Sequence, residues 1–246
     1  MAPAGIGDSL EGIHAVAAAI AAGRVRQMWV ERQRLRHVDV EQLVAAARGR
    51  GVTVDLVDDV RPEAATSAPQ GVVARATPIP LLSLSEAADI GDPAAVLVLD
   101  HLEDPRNVGA IARSALAAGV RAMVVSGRRA APVGPTAFKT AAGALEHVGV
   151  AVVSSVAEAI SRLRKHGLWI VGLDGTAEKS LFGCELLTDP VAIVVGAEGA
   201  GLSQLVGDRL DAAVRIPLAH QVESLNASVA ASLAMFELAR VRGWIS

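Results

Sequence analysis

From Ala94 to Ile216 the chain repeats one local pattern, a short uninterrupted apolar run followed by a stretch with helical periodicity. The runs are Ala94–Leu99, Ala122–Val125, Val150–Val153, Leu168–Leu173, Val191–Val195 and Ala213–Ile216. A strand with one wet face alternates apolar and polar residues, so continuous runs predict strands covered on both faces. The intervening segments Val108–Ala118, Thr136–Ala144, Val156–His166 and Ser203–Leu210 predict crossover helices, and a last helix is expected over Ser224–Val241. Parallel strands joined by helices make an α/β fold with a mostly parallel sheet. Ligands in such sheets bind at the carboxyl ends of the strands. The loops Asp100–Gly109, Asp174–Thr176 and Gly196–Gly201, and the turn after Ile216, are therefore the places to look for chemistry.

The residues before this pattern read differently. Ile13–Ala22 and Val38–Ala47 have helical spacing and stop at Gly23 and Gly49. Val25–Val30, Val52–Val57 and Gly71–Ala74 read as strands. The stretch from Ala76 carries Pro78, Pro80, Gly91 and Pro93, with one helical turn expected near Ser85–Ala88. The expected organisation is a small α/β domain over 1–75, a linker over 76–92 and a larger α/β domain over 93–246.

Hydrophobic residues make up 52% of the chain, enough for a sizeable core, whereas aromatics are only 2%, so the core must be built from small side chains. The one cysteine, Cys184, cannot form an intrachain disulfide. No basic leader with an apolar run opens the sequence and no apolar stretch is long enough for a membrane span, which leads us to expect a cytoplasmic protein. The six histidines are scattered without paired spacing, so no metal site is expected. The net charge of −3 argues against non-specific coating of nucleic acid. Yet Arg24, Arg26, Arg32, Arg34, Arg36, Arg48 and Arg50 crowd one segment. That segment is either an RNA-facing patch or a solvated helix face.

Two common nucleotide sites are excluded by spacing. Gly196-Ala-Glu-Gly-Ala-Gly201 reads G-x-x-G-x-G, not the dinucleotide fingerprint, and no phosphate-cradling P-loop motif occurs. The loop instead offers backbone free of bulky side chains beside one carboxylate, Glu198, which suits either a flat ligand or a plain turn. Asn107 stands near the start of a helix, where it is a candidate N-cap, and Arg113 follows at a spacing of six. Arg113 is either a phosphate-binding fork or an exposed helix arginine. Ser224 and Asn226 precede the last helix and are likewise candidate caps.

Taken together, these segments resemble the SpoU/TrmH family of RNA ribose 2′-O-methyltransferases, within the trefoil-knot superfamily. The resemblance rests on Asn107-x-Gly109-x-x-x-Arg113 in LDHLEDPRNVGAIARSALAAGV, on Gly196-Ala-Glu198-Gly-x-Gly201, and on Ile216-Pro217-Leu218 followed by Ser224-Leu225-Asn226-Ala-Ser228-Val-Ala230, in that order. Lys139, Gly143 and Glu146 between the first two also look like family positions, and Gly12–Val16 and Gln70–Ala74 resemble the small substrate-binding domain of the branch that methylates large-subunit (23S) ribosomal RNA. The resemblance implies a knotted carboxyl-terminal domain, a homodimer with a site shared between subunits, and S-adenosylmethionine as methyl donor. It implies that Gly196, Ala197, Ile216, Leu218, Ser224 and Leu225 hold the cofactor. It further implies that Asn107, Arg113, Glu198, Ser224 and Asn226 serve the transfer to the ribose, with Asn107 and Glu198 orienting Arg113.

Two positions depart from the family pattern: His220, where a glycine is usual, and Ala200, often polar. A histidine at 220 is a candidate proton acceptor or an exposed loop residue. The implied activity is 2′-O-methylation of a guanosine in 23S ribosomal RNA. The alternatives are a transfer-RNA or antibiotic-resistance ribosomal 2′-O-methyltransferase, or a non-catalytic RNA-binding assembly factor.

Overall fold

The computed structural model of the chain describes residues 5–127, 133–219 and 224–244. His220 lies outside the described residues.

The amino-terminal part forms a four-stranded sheet from β1 (Ser9–Glu11), β2 (Val25–Glu31), β3 (Thr53–Val57) and β4 (Val72–Ala76), in the order β1-β4-β2-β3. Strands β2 and β3 are parallel, whereas β4 runs antiparallel between β1 and β2. Helices α1 (Ile13–Ala21) and α2 (Val38–Gly49) cover it with Val16, Ile20, Val40 and Leu43, all buried. Strand β1 is an addition to the sequence reading: three residues are too few to show a period, and only pairing with β4 defines them as a strand.

The second sheet contains β5 (Ala95–Leu99), β6 (Ala122–Ser126), β7 (Gly149–Val153), β8 (Trp169–Leu173), β9 (Val191–Val195) and β10 (Ala212–Val214). All its pairings are parallel, in the order β10-β8-β9-β5-β6-β7. The continuous apolar runs are explained by two separate cores. In β5, Val96 and Val98 face one core while Ala95, Leu97 and Leu99 face the other; in β9, Ala192 and Val194 part from Val191, Ile193 and Val195 in the same way. One face is covered by α3 (Leu84–Ala88) and α6 (Val156–Lys165), and the other by α4 (Pro105–Ala117), α5 (Pro135–Ala141) and α8 (Ala227–Val241). Helix α7 (Gln204–Gly207) is shorter than expected and stops at Gly207.

The chain leaves β5 toward β6 and β7 on one side, then returns to place β9 on the other. The carboxyl ends of β5 and β9 therefore adjoin where the strand order reverses, which is where α/β sheets open a cleft. The segment before β5 is ordered against the sheet: Leu82 N–H donates to Val150 O at 2.9 Å, and Ser83 and Glu86 form a reciprocal cap on α3. Among the described residues, no helix is long and apolar enough to cross a membrane and no group of three or more His, Cys, Asp or Glu could hold a metal ion.

Arg242, just past α8, ties the end of the chain to the sheet. Its guanidinium donates to Leu187 O (2.8 Å), Pro93 O (2.7 Å), Ala94 O (3.3 Å) and Asp189 O, and lies over the Trp244 ring. Burial pulls its pKa below the ordinary arginine value, but four carbonyl acceptors hold the charge in place. Replacing Arg242 with Ala is expected to lower unfolding stability by about 2–3 kcal/mol, with Arg242→Lys recovering only part because it lacks the fork. Urea denaturation measures both.

Candidate active site

Three loops converge at the cleft: two leave the adjacent buried strands β5 and β9, and the third leaves the edge strand β10. The first leaves β5 at Asp100, which is 1% exposed and accepts from Ser203 N–H at 2.8 Å and faces His101 Nδ1 at 2.7 Å. Asp100 thereby straps the end of the second loop to the end of β5. The sequence reading did not single it out as a site residue, although a carboxylate closing a buried apolar strand is a detectable signal.

Helix α4 starts three residues earlier than expected. Its N-cap is Asp104, not Asn107: the Asp104 carboxylate accepts from Arg106 N–H at 2.8 Å and Pro105 occupies the first helical position. The Arg106 guanidinium holds the Asp104 carboxyl below its ordinary pKa. With the cap supplied by Asp104, the Asn107 side chain is released for contacts outside its own helix.

The second loop is a tight turn closed by Ala197 N–H to Gly201 O (3.0 Å) and Gly201 N–H to Ala197 O (2.9 Å). A β-carbon on Gly196 would lie 2.2 Å from the Gly201 backbone, so no other residue fits there. The turn carries Glu198 at its tip. Asn107 Nδ2 donates to Glu198 Oε1 at 2.8 Å, Asn226 Nδ2 donates to the same oxygen, and Asn226 Nδ2 also lies 3.2 Å from Asn107 Oδ1. Asn226 has a second task. Its Oδ1 caps α8 by accepting from Ser228 N–H (2.9 Å), Val229 N–H (3.3 Å) and the Ser228 hydroxyl (2.6 Å). One residue from each of the three motifs thus meets at a single carboxylate.

Beside this knot of hydrogen bonds lies a cleft. Gly196, Ala197, Ile216, Leu218, Ser224 and Leu225 all line it, together with Glu198. Residues not named as cofactor contacts from sequence also line it, among them Leu173, Asp174, Val195, Gly201, Val214 and Ala230. Asp174 accepts from Thr176 N–H and its hydroxyl at 2.8 and 2.7 Å, which shapes that loop. Ser224 lines the cleft, but the cap of α8 is Asn226.

Arg113 stands apart from this cluster. It is exposed and makes no hydrogen bond or ion pair with any described residue, whereas Asn107 and Asn226 of the same chain both bond to Glu198. Helical geometry gives the reason: six residues turn the helix by about 600°, leaving Arg113 roughly 120° around from Asn107.

Asn226 unites capping with carboxylate binding, and substitutions should separate the two. Asn226→Ser keeps a cap and stays near wild-type stability, whereas Asn226→Ala loses about 1 kcal/mol. Asn226→Asp keeps the cap but sets a second carboxylate against Glu198. Amide hydrogen exchange at Ala197 and Gly201 should accelerate in Asn226→Asp and stay slow in wild type.

The family model described as SpoU rRNA Methylase family matches residues 94–236, and that described as RNA 2′-O ribose methyltransferase substrate binding matches residues 9–82. The 23S rRNA (guanosine-2′-O-)-methyltransferase RlmB of Ralstonia nicotianae is 37% identical over 239 residues, covering 95% of each chain. A protein of Synechocystis named "uncharacterized tRNA/rRNA methyltransferase slr0955" is 36% identical over 96% of this chain, which spans 63% of that protein's length. The crystal structure of the SpoU methyltransferase AviRb from Streptomyces viridochromogenes with AdoMet superposes with a TM-score of 0.78 at 26% identity, covering 96% of this chain and 91% of that one.

Proposed function

Since the chain belongs to the SpoU rRNA methylase family, we propose that it transfers a methyl group from S-adenosylmethionine to a ribose 2′-hydroxyl of RNA, with a guanosine of 23S ribosomal RNA as target. The observation that carries this reading is the meeting of Asn107, Glu198 and Asn226 at the rim of the cleft. The chain is read as a substrate-binding domain over 1–75, a linker over 76–92 and a methyltransferase domain over 93–246. The proposed compartment is the cytoplasm, as the proposed substrate is ribosomal RNA.

The lining of the cleft fits the methyl donor. Gly196 and Gly201 leave main-chain groups bare for a flat base, and Leu173, Ile216 and Leu218 give apolar walls. The carboxylates Glu198 and Asp174 suit a ligand bearing positive charge. Ser224 and Leu225 close the cleft from the segment before α8. Bound S-adenosylmethionine supplies a methyl group already activated on a sulfonium.

The protein's task is to place and polarise the ribose oxygen. Its lone pair forms the new O–C bond as the S–C bonding pair returns to sulfur, and the hydroxyl proton passes to water. Positioning the two reactants in line accounts for much of the acceleration. A guanidinium is a donor without an acceptor site, so the role of Arg113 in this reading is to stabilise negative charge growing on the oxygen or to hold the adjacent phosphate. Asn107 and Asn226 keep the Glu198 turn closed over the cleft.

Arg113 reaches a reacting centre most directly in a homodimer. Helix α8 shows Val229, Leu233 and Phe236, 47%, 37% and 40% exposed, at spacings that put them along one face. Burying that face against a second copy is the proposed interface, with Arg113 serving a site shared between protomers. The proposed RNA surface is the exposed Arg32 and Arg36, which flank a notch with Gln33 and Asp58, together with the exposed Arg48 and Arg50. Arg24 does not belong to it, because it pairs with Glu146; Arg26 is exposed and donates only to the Thr77 hydroxyl, and Arg32 has the Asp58 carboxylate 3.4 Å away.

Purified protein should transfer labelled methyl to large-subunit RNA taken from cells lacking the modification. Cofactor binding without any transfer would instead favour an assembly factor. Arg113→Ala is expected to abolish turnover while sparing cofactor binding, measured by calorimetry. Mixing it with Glu198→Gln should restore activity in part if sites are shared. Reversing the charge of Arg32, Arg36, Arg48 and Arg50 should weaken RNA binding and flatten its dependence on salt; unchanged binding would make the segment a solvated face.

A further inference from the structure

The amino-terminal sheet and the cleft are joined through α5, and the residues of that junction are ones the reaction itself leaves unexplained: Lys139, Gly143 and Glu146. Phe138 of α5 is 1% exposed, and a β-carbon on Gly7 would lie 2.4 Å from its ring. Lys139, next along α5, donates to Ala68 O at 2.7 Å and lies 3.9 Å from Glu11 Oε2. Glu11 is fully buried and accepts from Ala65 N–H (2.7 Å), Thr66 N–H (2.9 Å) and the Thr66 hydroxyl. Just beyond α5, a β-carbon on Gly143 would sit 2.7 Å from the Ala18 side chain of α1.

At the other end of the seam, Glu146 takes a two-pronged bond from Arg24, with Nε to Oε2 at 2.8 Å. Their side chains are 13% and 3% exposed, so solvent screens this pair little. Arg24 also donates to Gly7 O at 3.1 Å and to Thr77 O. On its opposite side α5 meets α4 backbone to backbone: a β-carbon on Gly109 would lie 2.4 Å from Ala137 O. Gly109 stands between Asn107 and Arg113 on α4. A rigid line of contacts therefore runs from the amino-terminal sheet through α5 to the helix that carries two proposed reaction residues.

We infer that Lys139 and Glu146 are positioning residues that lock the RNA-binding unit in one register against α4, so that RNA held on the amino-terminal surface presents its ribose to the cleft. This rests on the RNA-methylation reading above. The physical content is effective concentration. A tethered but loose binding unit still captures RNA, yet it holds the target hydroxyl near the cleft for a smaller share of the time. The two ionic contacts are buried enough to define one geometry, whereas an exposed pair would not.

The test uses the full-length chain with Glu146→Gln and Lys139→Met, two substitutions at opposite ends of the seam, and Lys139→Arg as the conservative control. RNA affinity and cofactor affinity should stay within about threefold of wild type while kcat falls about tenfold or more in the first two. Lys139→Arg should retain most of the rate. Hydrogen exchange should quicken at Ala65–Ala68 in Lys139→Met. Equal rates in all four proteins, or a loss carried wholly by RNA or cofactor affinity, would overturn the inference. If wild type methylates no RNA, the reading of function fails; unchanged exchange at Ala65–Ala68 in Lys139→Met would sink the lock separately.

Discussion

One carboxylate, Glu198, organises the carboxyl-terminal half of this protein. It sits on a turn that no side chain at Gly196 would allow, and it accepts from Asn107 at the start of α4 and from Asn226 at the start of α8. Two helices and one turn, each arriving from a different strand end, are thereby brought to one point. A carboxylate accepting several amide donors is a charge-assisted arrangement, stronger than neutral hydrogen bonds. It also fixes Asn226, whose other end caps α8. The walls of the cleft are held by the same few bonds that close its rim.

The sheet makes that convergence possible. Because β9 inserts beside β5 after the chain has built β6 and β7 on the far side, two loops distant in sequence leave adjacent strand ends in the same direction. Asp100 reinforces this by taking Ser203 N–H. Burial of alternate residues in two cores, Val96 and Val98 on one face and Leu97 and Leu99 on the other, gives the strands little freedom to slip. A rigid platform with short polar loops at one end is the usual way in which an α/β fold supports chemistry.

The amino-terminal unit is tied to this platform by charge as well as by apolar contact. Arg24 was legible in the sequence as part of a basic segment, and the fold gives it another use: it spans to Glu146, 122 residues away, and leaves the exposed Arg36, Arg48 and Arg50 as the freer cations. A run of arginines in sequence is thus not one surface. Which members face solvent depends on what packs beside each.

Local information was enough for much of the architecture. The apolar runs of β5, β6 and β9 mark their own strands, because a strand buried on both faces is apolar whatever its neighbours are. The positions of the motif loops at strand ends were also readable, but taken singly their residues suited a cap or a turn as well as a site, and only the family resemblance pointed them toward a cofactor. What the sequence could not supply was who binds whom. Asn107 reads as a helix cap in sequence, yet Asp104 takes that place and leaves Asn107 to Glu198, 91 residues on, and Asn226 joins the same carboxylate from the start of α8. Strand β1 exists only because β4 pairs with it. Local periodicity is set by neighbours along the chain, whereas hydrogen-bond partners are set by the strand order that brings distant segments together, and only the folded structure contains that order.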